Sequence, residues 1–246
     1  MELPAKIFLL EDESGIHLKE RDALLTAISE GAKIVILVSH LSEKMEDELA
    51  FIISSVLGKY EKESLFTSFY SILKELVVNA TKANAKKIFF QENGIEDEKS
   101  PGYAEFSRDF RENLTDEWMR LYAEKAKEAM LLVCIILEHD LSGLVLKVKN
   151  SIEISDHDEM RLREKLKTGL SFKNLKEFYV YNADQTEGEG IGLVMNLFLL
   201  KGENYDPNLF RIGNANGSAI ARVEIPFSKD FTSNREKDSP KKKLDT

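Results

Sequence analysis

The chain has 246 residues, 43% hydrophobic and 31% charged, with a formal net charge of −9. That is enough apolar material for a substantial core, while the acidic balance gives no general affinity for nucleic acid, which requires a concentrated basic surface. A single cysteine excludes a disulfide framework within the chain, no stretch approaches the roughly 20 apolar residues of a membrane span, and Met1-Glu2-Leu3-Pro4 does not open a secretory signal, so a reducing cytoplasmic setting is expected.

Residues 6–10 form a short apolar run. Residues 16–30 repeat apolar side chains at helical spacing through Leu18, Ala23, Leu24, Ala27 and Ile28, and Gly31 fits a helix stop. Residues 33–39 are dense in β-branched types and predict a buried strand; residues 42–57 predict a helix ended by Gly58. Ser64 can cap the next helix, over 64–83, where Phe69, Ile72, Leu73, Leu76 and Ala80 build one apolar face and Glu75, Asn79 and Lys82 occupy another. Residues 87–91 are expected to return as a strand.

Residues 93–101 are a polar turn region, followed by predicted helices over 103–112 and 116–130, the second capped by Thr115. Residues 131–138 and 144–150 predict an antiparallel hairpin, and Cys134 within the first reads as a small core hydrophobe. Residues 155–182 are charged and irregular in pattern, amphipathic only near 160–170, and read as a mobile cover. A helix over 193–200 then leads to strands 210–213 and 219–226. The Lys-rich end from Ser233 has the composition of a disordered tail.

Two distant segments carry chemistry. Glu75, Asn79 and Lys82 stand at i, i+4 and i+7, which places a carboxylate, an amide and an ammonium on one side of a helix. Such a stripe is ordinarily a solvated face, but Asn79 between Val78 and Ala80 is an indifferent helix former. Glu187-Gly188-Glu189-Gly190-Ile191-Gly192-Leu193 is a glycine-rich turn running into an apolar helix, where close backbone approach and unpaired N–H groups suit an anion. The two in this order suggest a nucleotide site. His40 follows a buried strand and precedes Leu41, a poor setting for a phosphoacceptor. His17, His139 and His157 have no metal-ligand spacing among themselves.

These residues resemble the Bergerat-type (GHKL) ATP site shared by histidine kinases, type II topoisomerases, mismatch-repair ATPases and heat-shock chaperone ATPases. By that resemblance Asn79 holds Mg²⁺ through its amide oxygen, Glu75 orients or deprotonates the attacking group, and Lys82 meets phosphate. Gly188, Gly190, Ile191, Gly192 and Leu193 are similar to the box that wraps the triphosphate and opens a helix, and Ser218, in Gly217-Ser218-Ala219, takes the place of the small hydroxyl near adenine. The family's Asp-x-Gly-x-Gly box is absent: the strand ends in Asn150-Ser151-Ile152, similar to a quorum-sensing-type kinase variant, which makes Asn150 the proposed adenine reader.

The absence of a dimerisation hairpin is similar to compact anti-sigma-type serine kinases. The resemblance implies an α+β fold, a two-layer sandwich of the histidine kinase ATPase type with a mixed sheet and helices on one face. It divides the chain into an N-terminal extension packed on the core (1–62), an ATPase domain (63–228) with a helical insertion (93–130) and a lid (152–187), and a tail (229–246). It implies ATP and Mg²⁺ as cofactors, a protein partner and phosphoryl transfer to it, with a homodimer left open. The alternatives are an ATP-gated binding module without transfer and a nucleotide-free interaction domain.

Overall fold

The structure, a computed structural model, describes residues 5–9, 18–182 and 191–234. The fold is mixed α+β. Strands β1 (Ala5–Leu9), β2 (Lys33–Val38), β3 (Val133–His139), β4 (Gly143–Asn150), β5 (Phe210–Ala215) and β6 (Ser218–Pro226) form one sheet in the order β1-β2-β3-β4-β6-β5. β1 runs parallel to β2, and every other neighbouring pair is antiparallel.

Alternation along β2, β3 and β4 gives the sheet its two faces. Ile34, Ile36 and Val38, Val133, Ile135 and Leu137, and Leu144, Leu146 and Val148 are buried, and they join side chains from α1 (Leu18–Glu30), α2 (Glu43–Lys59), α3 (Phe66–Glu92) and α8 (Ile191–Gly202) in one core. Cys134 falls in the alternate set, with Val35, Leu37 and Ile136, all half-buried. It therefore sits on the opposite face rather than in the core, and burial still pushes its thiol up from the ordinary range. A run of consecutive apolar residues such as 131–137 does not disclose which alternate residues turn inward.

Ser42 caps α2, its hydroxyl accepting from the Met45 N–H at 3.3 Å, and Thr115 does the same for α5 (Asp116–Glu128) through Trp118. Gly58 does not stop α2. The helix runs to Lys59, and the chain reverses through Glu61, at φ 56. Ser64 caps nothing, because it lies inside a 3-10 turn (Glu63–Leu65) that feeds α3.

The larger correction is at 87–91, which is not a strand but the last part of α3. The 27-residue helix extends roughly 40 Å because its apolar spacing continues: Ala85, Ile88 and Phe90 leave the main core and enter a second one with Phe110, Tyr122 and Ala126 of α4 (Tyr103–Glu112) and α5. Trp118 stacks on Tyr122 there at 4.0 Å, and Asn84, fully buried, donates to the Leu131 carbonyl at 2.8 Å. Residues 155–182 are likewise regular, forming α6 (Asp156–Ser171, capped by Ser155) and α7 (Leu175–Asn182). Gly169 of α6 seats against Val194 of α8, so a side chain there would collide with it. Charge on the outward side of α6 masked its helical period in the sequence.

The β3–β4 hairpin carries a pH-sensitive group. His139 is buried and lies 2.8 Å from the Tyr60 hydroxyl; burial first, and the Lys59 ammonium second, push its imidazole down to about 4. The folded value lies below the unfolded value of about 6.5, so the unfolded chain takes up the proton first as pH falls. The stabilisation is full above pH ~6.5 and is lost between there and pH ~4. Urea unfolding is expected to show wild type losing up to ~3 kcal/mol more than His139→Phe across that interval. Parallel losses in the two proteins would remove His139 as the cause.

Candidate functional site

The middle of α3 brings the first segment together. Glu75, Asn79 and Lys82 are all half-buried, not fully solvated. Asn79 Nδ2 donates to Glu75 Oε1 at 2.7 Å, the i, i+4 contact that helical geometry permits. This leaves the Asn79 amide oxygen, a hard ligand, without a partner among the described residues. Lys82, one turn on, has no ion-pair partner among them either.

Among the described residues, Gly192 brings the second segment against the first. A Cβ built on Gly192 would overlap the Glu75 carboxylate, so the first turn of α8 approaches α3 as closely as a glycine allows. That carboxylate also stands at the positive end of the α8 dipole, where an anion is favoured. Ile191 and Leu193 flank the glycine and pack half-buried on the main core. Gly188 and Gly190 lie outside the described residues.

Asn150 ends β4 and is 4% exposed. Its Nδ2 donates to the Ala80 carbonyl at 3.0 Å, and its Oδ1 accepts from the Ile152 N–H at 3.3 Å. The amide thus ties the strand end to α3, beside Asn79, and any adenine contact must use the remaining hydrogen and lone pair. Ser218 opens β6 next to it: Asn150 pairs with Ala219 across the sheet, the Ala219 N–H reaches the Ile152 carbonyl at 3.3 Å, and Ser218 is buried. Asn216 and Gly217 both have positive φ, the type I′ geometry of a two-residue hairpin turn, so the turn fixes the position of Ser218.

One polar residue escaped the sequence reading. Asn196, four positions after Gly192 on α8, is 1% exposed with neither amide atom bonded among the described residues. An unpaired buried amide costs about 1–3 kcal/mol, and i+4 spacing sets it on the side of α8 that Gly192 turns to α3. An amide inside Leu193-Val194-Met195-Asn196-Leu197-Phe198 was the available sign. His40 is buried just after β2, beside the Ser39 hydroxyl at 3.2 Å. Among the described residues no helix is long and apolar enough to cross a membrane.

No family model matches the chain, and no solved structure matches it. It is similar to an uncharacterized protein of Treponema pallidum (strain Nichols), 25% identical over 154 residues, covering 63% of this chain and 30% of that protein. The chain therefore spans less than a third of the length of the relative it matches.

Proposed function

We propose that the chain is an ATP- and Mg²⁺-binding signalling protein of the histidine kinase-like (GHKL) type, working in the cytoplasm and passing the γ-phosphoryl group to a partner protein. The observation that carries this reading is the contact between Gly192 and Glu75, which joins the two segments singled out from the sequence. The donor set fits the ligand: among the described residues, an unshared amide oxygen on Asn79, an unpaired ammonium on Lys82, and a helix start against the same face. A hard cation that keeps most of its waters needs few protein ligands, so Asn79 suffices as the metal-holding residue. Magnesium, when bound, supplies charge neutralisation at the phosphates.

The chain's own groups do the remaining work. Lys82 draws the phosphate end toward α3, the α8 start offers main-chain donors through Ile191, Gly192 and Leu193, and Glu75 accepts the proton of the attacking hydroxyl or water. Asn79 holds that carboxylate in place from one helical turn away. Ser218 and the free positions of the Asn150 amide stand at the adenine end. A two-layer sandwich of the histidine kinase ATPase type belongs to the same proposal. The commitment of Asn150 to Ala80 and Ile152 favours a second reading, an ATP-gated binding module in which nucleotide occupancy changes partner affinity without transfer.

Titration of a fluorescent ATP analogue with and without Mg²⁺ tests the binding. Asn79→Ala is expected to abolish the Mg²⁺-dependent component, at least about tenfold in affinity, while the melting temperature stays close to wild type because Asn79 is half-buried and makes one local bond. An unchanged titration rejects the metal assignment. Transfer of labelled γ-phosphate to a protein substrate separates kinase from binding module.

A further inference from the structure

A groove of about 660 Å³ lies between α6 and β5, away from Glu75 and Asn79 and within the size range of ligand sites. All six residues of β5 line it, and β5 is an edge strand, with β6 as its neighbour on one side only. An edge strand turns alternate N–H and C=O groups away from its neighbour. The groove runs along β5, and α6 supplies its far wall through Arg163, Leu166, Lys167 and Leu170.

The two faces of β5 differ in chemistry. On one, Arg211 stands opposite Arg222, and Arg222 opposite Lys147, three cations in one cross-strand row. Like charges so placed destabilise a sheet, and the fold gains nothing visible from the row. Glu224 holds Arg222 at 3.0 Å and Glu138 holds Lys147 at 2.8 Å, but Arg211 has no partner among the described residues. Lys167 and Arg163 add charge from α6: Lys167 is likewise unpaired among the described residues, whereas Arg163 is taken by Glu159 at 2.7 Å. The Glu159 carboxylate, already taken by Arg163, stands beside Gly213 at the end of this face, and no other carboxylate among the described residues lines the groove. On the other face, Phe210 and Ile212 share the lining with Leu166, Leu170 and Leu197, an apolar strip.

We propose that this groove binds an extended acidic segment of a partner protein, added to the sheet as a strand beside β5, with acidic side chains on the Arg211 face alternating with apolar ones on the Ile212 face. A strand's period of two requires that alternation, because successive side chains go to opposite faces. Nucleic acid fits less well, since the net charge of −9 repels a long polyanion and a single cationic row beside an apolar strip does not track a phosphate backbone. The inference does not depend on nucleotide binding.

The probe is a fluorescein-labelled peptide of about eight residues, roughly 27 Å when extended, alternating glutamate and valine. Controls are a block isomer of the same composition, two versions N-methylated at alternate residues in opposite phase, and a short oligothymidylate. Anisotropy is expected to show saturable binding of the alternating peptide, at least about tenfold weaker binding of the block isomer, and loss of binding in one N-methyl phase only, where the donors to β5 are removed. Arg211→Glu and Lys167→Glu are each expected to weaken it about tenfold. Should either variant fail to fold, the N-methyl pair on the wild-type chain decides alone. No binding, equal binding of the two isomers, indifference to N-methylation in both phases, or a preference for the oligonucleotide would overturn the proposal.

Discussion

Asn150→Asp is expected to cost about 3 kcal/mol of stability at neutral pH. The present amide makes two different bonds, giving a hydrogen to Ala80 and taking one from Ile152. A carboxylate can keep the second bond but not the first, because its other oxygen would face the Ala80 carbonyl at the 3.0 Å now spanned by a donor. Burial then adds the cost of an unpaired charge. Protonation restores the donor, so the variant's carboxyl has a folded pKa above its unfolded value of about 3.9. The deficit relative to wild type is therefore small below pH ~4 and grows as pH rises through the folded value.

Urea midpoints at pH 4 and pH 7 for both proteins give the measurement. A deficit that does not depend on pH, or no deficit, would show that the Ala80 bond is not what position 150 contributes. The same variant bears on nucleotide reading: an acidic acceptor that tightens ATP despite lower stability would assign Asn150 to adenine.

The sequence disclosed most where a feature is local. The cap at Thr115 and the β3–β4 hairpin depend on a few adjacent residues, and each is found in the structure. It disclosed least where a long-range partner decides. Residues 87–91 are β-tolerant in composition, yet α3 continues through them because a second core, built by α4 and α5, receives Ile88 and Phe90. The regularity of α6 was hidden by charge on its outward side, and what seats α6 and α7, Val194 and Phe198 of α8, lies later in the chain.

The site divides along the same line. The stripe of Glu75, Asn79 and Lys82 follows from helical spacing, and their half-burial adds weight to it. The contact of Gly192 with Glu75 and the burial of Asn196 are properties of how α3 and α8 cross, which no local pattern encodes. The roles of Asn150 show the limit of spacing most directly: the residue type was visible, but the bonds to Ala80 and Ile152 were not.

The contact between the two helices predicts a change of sign. In wild type, Gly192→Ala must either turn the Glu75 carboxylate away, breaking its 2.7 Å bond from Asn79, or lift the start of α8 from the core. Overpacking of this kind costs about 1–3 kcal/mol. In a Glu75→Ala background the obstructing group is gone, and only the helix-forming advantage of alanine over glycine remains, up to ~1 kcal/mol and smaller in a first turn. The same substitution should therefore destabilise one protein and stabilise or spare the other, a coupling of about 2 kcal/mol in a double-mutant cycle. Urea unfolding of the four proteins measures it directly. Mg²⁺-dependent nucleotide binding is expected to fall in Gly192→Ala, because the carboxylate that leaves its place also releases Asn79 from its orientation. Equal cost of Gly192→Ala in both backgrounds would mean that Glu75 and the α8 start do not meet, and the case for a joint phosphate site would go with it.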